Sequence, residues 1–275
     1  MNKKKLIVCI IFVLMLGAIS VYAGYRISIK AHNEELLESV QEAAHSEDTS
    51  EKEITSASIS DESTALAITD DTEAQAYESP IDFESLQASN EDIYAWITIP
   101  DTTIDYPIAQ HPTDDSYYLS HGADGIYSDY GCPYTELTDS KKFTDFNTII
   151  YGHNMNDGSM FGALHQYEDE DFFKEHRTIY IYTTDHTFTY TVFAAVMYTD
   201  AHIPYYYDDN VIADREAFLN SLQTDIVKER SIYYEDMDVT SSSKIVTLST
   251  CDRKLRSNRF LVVAVMTEVD GVEVD

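Results

Sequence analysis

Three side chains, each placed at one end of an apolar run, are the best candidates for catalytic chemistry in this chain. Cys251 closes the run Thr247-Leu248-Ser249-Thr250-Cys251 and is followed by Asp252, Arg253, Lys254, Arg256 and Arg259. Cations near a sulfur favour the thiolate, which is the nucleophilic form. The competing reading is an inert core cysteine, since cysteine is among the most buried residue types; the polar, electropositive segment argues against it. Asp252 reads as a loop charge. His153 follows a second apolar run, in Tyr151-Gly152-His153-Asn154-Met155. Imidazole titrates nearest neutral pH and suits general acid–base work. The glycine before it and Asn156-Asp157-Gly158-Ser159 after it give an open rim; the bland alternative is a histidine that only caps a loop. Arg259 opens a third run, eight residues after Cys251. If the two flanking runs pair as strands, Arg259 and Cys251 share one end of a sheet. A guanidinium there orients an acyl substrate or stabilises an oxyanion.

The elements that must position these residues follow from the apolar pattern. Runs rich in β-branched and aromatic residues cover Tyr94–Ile99, Asp105–Ile108, Thr148–Tyr151, Thr178–Thr183, Phe188–Tyr198, Lys244–Thr250 and Phe260–Val269. Phe188, Tyr190 and Val192 alternate with Thr189 and Thr191, the period of a half-buried strand. A short helix is expected over Asp82–Ala88. A second helix is expected near 214–228, capped by Asp214, with Phe218, Leu222 and Ile226 on one face. The fold class is mostly β: a closed or nearly closed, mainly antiparallel barrel with helical insertions.

Charge and hydropathy divide the chain into three parts. Residues 1–31 carry Lys3, Lys4, Lys5, Arg26 and Lys30 and no acid, around an uncharged apolar stretch from Leu6 to Tyr25. That length spans a hydrocarbon core as a helix, and the leading lysines favour an inside N-terminus. The alternative is a cleaved signal peptide with Val21-Tyr22-Ala23 at the cleavage site. Residues 32–79 are acidic and lack Gly and Pro. Asn33–Ala44 can prolong the first helix, and the remainder reads as a self-repelling spacer. Residues 80–275 hold the folded domain. The whole chain has 18 basic and 49 acidic residues, a formal charge of −31. That sign excludes phosphate-backbone binding and leaves no nucleic-acid partner. No HExxH or CxxC spacing occurs and the nine histidines are dispersed, so neither a metal nor another cofactor is implied. The three cysteines, Cys9, Cys132 and Cys251, form no disulfide framework. A Cys132–Cys251 bridge is open on count alone.

Taken together, Thr247–Cys251 (TLSTC), Arg259 before an apolar strand, Tyr151–Leu164 (YGHNMNDGSMFGAL), Trp96–Pro107 (WITIPDTTIDYP) and Tyr117-Tyr118-Leu119 resemble the sortases, specifically class B. The resemblance spans about Ile81 to Met266, and the 214–228 helix is similar to the long insertion of that class. It implies a membrane-anchored cysteine transpeptidase with the catalytic domain outside the cell and His153, Cys251 and Arg259 as the catalytic set. Tyr151, Ser249, Thr250 and Leu119 match positions near the family's substrate groove, and Cys132 is structural. The implied partners are secreted proteins with a C-terminal sorting signal, cleaved after Thr, and an acceptor amine from a peptidoglycan precursor or a pilin. Two rival readings use the same chain differently: a hydrolytic cysteine peptidase with water as acceptor, and a non-enzymatic surface binding domain. The papain order of Cys before His is reversed here, which counts against that peptidase family.

Overall fold

The computed structural model describes residues 3–45, 77–252 and 257–274. Helix α1 runs without a break over Lys3–Ala44. It is long and apolar enough to cross a membrane. Its last turns lie against the domain: Asn33 and Ala44 are buried, and Gln41 donates to the Asp105 carbonyl at 2.8 Å. The helix therefore continues through Asn33–Ala44 and uses that stretch as a packing surface; the rest of the expected spacer, 46–76, falls outside the described residues.

Helix α2 (Phe83–Ser89) is capped by Asp82, whose carboxylate accepts from the Ser85 amide at 2.9 Å. The sheet then unfolds along the sequence as β1 (Ile93–Thr98), β2 (Asp105–Ala109), β3 (Asn147–Tyr151), β4 (Thr178–Tyr182), β5 (Thr187–Thr199), β6 (Ile232–Tyr233), β7 (Ile245–Cys251), β8 (Asn258–Val269) and β9 (Val272–Glu273). Helices α3 (Glu170–Glu175), α4 (Ile203–Tyr206) and α5 (Ile212–Thr224) and 3₁₀ segments Phe161–Glu168 and Lys228–Arg230 lie between them.

Strand order is β2-β1-β4-β5-β8-β7-β3, with β6 beside β5 and β9 beside β8. All pairs are antiparallel except β3 with β7. The two edges of this path, β2 and β3, are stitched by one short segment. Ala109 donates to Pro133 and receives from Thr135, while Tyr134 and Tyr151 exchange both backbone bonds at 3.0 and 2.8 Å. The sheet is thus a curled, nearly closed barrel. Pro107 sits in edge strand β2, where a missing N–H is tolerated.

The alternation seen in Phe188–Val192 stops halfway along β5. Register shifts at Thr189/Tyr190 and Val192/Ala194 add twist there. Beyond them both faces are buried. Val192, Ala195 and Met197 face the barrel interior with Leu248 and Val262. Phe193, Ala194, Val196 and Tyr198 pack under Phe218 and Leu222 of α5. Helix α5 begins earlier than expected: its N-cap is Val211, and Asp214 lies in the first turn, where its carboxylate accepts from the Asp208 amide at 3.0 Å. Residues beyond Thr224 leave the α-helix, so Ile226 packs from the following loop.

Candidate active site

Register brings the three candidate residues together. Cys251 is the last residue of β7 and lies directly across from Arg259 on β8. Parallel pairing of β3 with β7 sets Tyr151 opposite Ser249, so the chain leaving β3 carries His153 past the same sheet end. Two bonds lock that junction: the Gly152 amide donates to Ser249 at 3.1 Å, and the Thr250 hydroxyl donates to the Gly152 carbonyl at 2.7 Å. Ser249 and Thr250 are themselves buried. One cavity of about 330 Å³ is lined by Cys251, His153 and Arg259, and by Tyr151, Ser249, Thr250 and Leu119. All seven residues singled out from the sequence meet there.

Cys251 is a free, exposed thiol; Cys132 is free and buried. The open possibility of a bridge between them is therefore not realised. Burial pushes the Cys132 thiol well above the ordinary thiol range, which keeps it protonated and unreactive. Of the flanking cations, Arg253, Lys254 and Arg256 lie outside the described residues.

His153 places Nε2 2.7 Å from the Leu119 carbonyl. A carbonyl only accepts, so this bond holds the proton on Nε2 and leaves Nδ1 as the acceptor of the neutral ring. The His153 carbonyl also accepts from the Phe161 amide at 2.9 Å. Gly131, at φ +63°, fits against the ring: a Cβ there would meet the Tyr118 carbonyl at 2.4 Å and His153 Cδ2 at 3.1 Å. Only glycine allows that approach. Gly152 is equally confined, since a Cβ there would lie 2.6 Å from the Phe161 ring. Tyr151 stacks on Tyr134, and its hydroxyl is buried, so it meets the cavity through its ring.

Behind Cys251 lies a polar network that sequence reasoning missed. The Cys251 carbonyl accepts from Asn154 Nδ2 at 2.7 Å and contacts His165 Nε2 at 3.1 Å. His165 Nδ1 lies 2.8 Å from Glu168, and its ring stacks on Phe260. Arg230 then joins Glu168 and Asp252, donating to both oxygens of each at 2.7–3.2 Å. Asp252 is 2% exposed. It is a buried partner of Arg230, which corrects its reading as a loop charge. The Arg230 hydrogen bonds are the main cause holding the Glu168 carboxyl below the usual glutamate range. Asn154 was visible within the YGHNM stretch. The charged partners carried no signal, because Arg230 is 62 residues from Glu168.

A reachable thiol, an imidazole with a defined tautomer and a guanidinium, all at one sheet end, is the equipment of an enzyme that works through a thioester. The sortase domain family matches residues 97–267. Sortase B of Listeria monocytogenes is 37% identical over 171 residues, 62% of this chain and 67% of that protein. Sortase B of Staphylococcus aureus is 30% identical over 191 residues, 68% of this chain and 75% of that protein. The crystal structure of sortase B from Bacillus anthracis superposes with a TM-score of 0.65 at 28% identity, covering 90% of this chain and all of that one. The chain belongs to the sortase family, in class B, and is a cysteine transpeptidase.

Proposed function

We propose that Cys251 attacks the carbonyl of the threonine in a C-terminal sorting signal carried by a secreted protein. His153 takes the Cys251 thiol proton at Nδ1, the sulfur bonds to the carbonyl carbon, and the following peptide bond breaks. His153 gives a proton to the departing amine, and a thioester remains on Cys251. An amine of a peptidoglycan precursor or of a pilin then attacks the thioester carbonyl, His153 takes its proton, and the C–S bond breaks as His153 returns that proton to the Cys251 sulfur. Arg259 neutralises the oxyanion that forms in both halves or holds the signal backbone. Leu119 has two parts in this reading: its carbonyl fixes the His153 tautomer, and its half-exposed side chain forms cavity wall. Tyr151, Ser249 and Thr250 complete the groove.

The observation that carries the reading is the convergence of His153, Cys251 and Arg259 on one cavity at the end of β7 and β8. Residues 1–31 serve as a single-pass anchor with the N-terminus inside, residues 32–79 as the connecting segment, and residues 80–275 as the catalytic domain outside the membrane. The test is a library of quenched sorting-signal peptides, with and without an amine acceptor, followed by mass spectrometry. A thioester on Cys251 and an amine-dependent product are expected. An adduct resolved only by water would replace transfer with hydrolysis, and no adduct with an inert Cys251 thiol would sink the assignment.

A further inference from the structure

Loop 122–130 joins the catalytic wall to the foot of α1. Its acidic side chains meet polar side chains of the helix: Asp129 pairs with Arg26, and Asp124 lies 3.5 Å from His32. Ser128 donates to Asn33, which is 2% exposed, at 2.8 Å. Leu36 packs over Gly122. Arg26 directly follows the apolar run that ends at Tyr25, so the loop begins at the level where that run stops. With a rise of 1.5 Å per residue, Arg26 lies only about 10 Å along the helix from Asn33, the first buried docking residue.

At this level the loop exposes two large apolar side chains. Ile126 is 58% and Tyr127 54% exposed. The Tyr127 hydroxyl donates to Asp129 at 3.0 Å, on the same carboxylate that pairs with Arg26. Tyr127 therefore stands beside the Tyr22–Tyr25–Arg26 border of the helix. Tyrosines at such a border sit at headgroup depth. With Asp129 paired to Arg26, and Asp124 turned to the Ile126 amide and His32, the loop tip presents the side chains of Ile126 and Tyr127.

We propose that loop 122–130 is a second membrane contact, with Ile126 and Tyr127 seated in the headgroup–acyl boundary of the bilayer that α1 crosses. The inference rests on the reading of α1 as a membrane span. It has a consequence for the reaction. The Ser128 amide donates to Ser120 at 2.9 Å, Cys132 to Tyr118 at 3.0 Å, and Tyr130 to Asp157 in the loop after His153 at 2.9 Å. The wall that holds His153 is thus braced on the membrane contact. The catalytic cavity rests close to the lipid surface, within reach of a substrate that is itself held in the membrane.

The test uses the full chain in phosphatidylcholine vesicles, with part of the lipid brominated near the glycerol end of its acyl chains. The protein has one tryptophan, Trp96, fully buried, which gives a constant background. I126W adds a reporter at the exposed loop tip. V272W, on β9 at the end of β8 remote from Cys251, adds one at a second exposed position. The expected result is a blue shift and loss of the added emission for I126W and no change for V272W. Retention of the chain after alkaline carbonate washing, with I126W unquenched, would overturn this inference alone. Release by carbonate would overturn the anchor reading and this inference with it.

Discussion

The two sides of Cys251 are built differently. On the cavity side the thiol is exposed, and His153 and Arg259 line the same cavity from two other strand ends. On the rear side the same residue's carbonyl accepts from Asn154 and lies 3.1 Å from His165 Nε2, and Asp252 is locked to Arg230 and through it to Glu168. The front is left open for a peptide and the rear is over-determined by charge-assisted hydrogen bonds. The contrast is between a backbone fixed from behind and a sulfur left open in front. The rear network also joins the segment after α5 to the back of Cys251, because Arg230 lies just beyond α5 and its loop.

The largest effect should come from the front. Cys251→Ala should lower transfer by on the order of 10⁴-fold or more while leaving the circular dichroism spectrum intact, because no other group forms the thioester. Retained turnover would remove Cys251 from its role. Arg259→Lys should reduce kcat/KM by about 10²–10³-fold, since a point charge does not reproduce the guanidinium fork; near-normal rates would make Arg259 a surface charge.

Gly131→Ala should lower the rate by about 10²-fold with a smaller effect on stability. The added Cβ meets the fixed Tyr118 carbonyl and displaces the His153 ring, and small misplacements are expensive in rate. A variant with normal kinetics and an unchanged pH–rate profile would show that the ring position is not critical.

Arg230→Gln breaks the rear face. It takes the Arg230 guanidinium from the buried Asp252 and should destabilise the domain by about 3 kcal/mol at neutral pH. The sign with pH follows from Glu168, whose folded value is depressed mainly by the Arg230 hydrogen bonds. Such a group contributes stability above its unfolded value and loses it as pH falls through the folded one. The gap between Arg230→Gln and wild type in urea unfolding should therefore narrow in acid, below the ordinary glutamate range. Equal stability of the two at neutral pH would mean the network is incidental.

The smallest expected effect lies away from both faces, beneath the seam that closes the barrel. Burial pushes the Asp139 carboxyl up to about 8. A raised carboxyl makes stability fall as pH rises from the unfolded value toward the folded one. Asp139→Asn should raise Tm by about 2–4 °C at pH 8 and by nothing in acid. A loss of Tm at pH 8 would instead make the ionised carboxylate a useful acceptor for the Glu136 amide.

Strand existence was legible because short apolar runs between turn residues fix it locally, and each expected strand matches a β-strand within two residues at either end. Burial along β5 was less legible. Period-two alternation predicted a half-buried strand, yet its second half is buried on both faces because α5 covers the outside. The start of α5 was misplaced for a related reason. Asp214 looks like a cap by composition, but Val211 ends the extended stretch before the helix and the Asp214 carboxylate turns back to the Asp208 amide.

For the site, the residue types at the strand ends could be read without any structure: Cys251, His153 and Arg259 are legible because a reactive side chain next to an apolar run is a local pattern. The apolar N-terminal run and the acidic segment after it are equally local features. The coincidence of the three ends is a property of the fold, since it depends on the parallel β3–β7 pairing and the β7–β8 register. The fold likewise gave His153 a carbonyl from 34 residues away and Asp252 a guanidinium from 22 residues away. Hydrogen bonds and ion pairs act over a few ångströms in space, and a chain folded into a curled sheet makes neighbours of residues whose separation in sequence carries no trace of the contact.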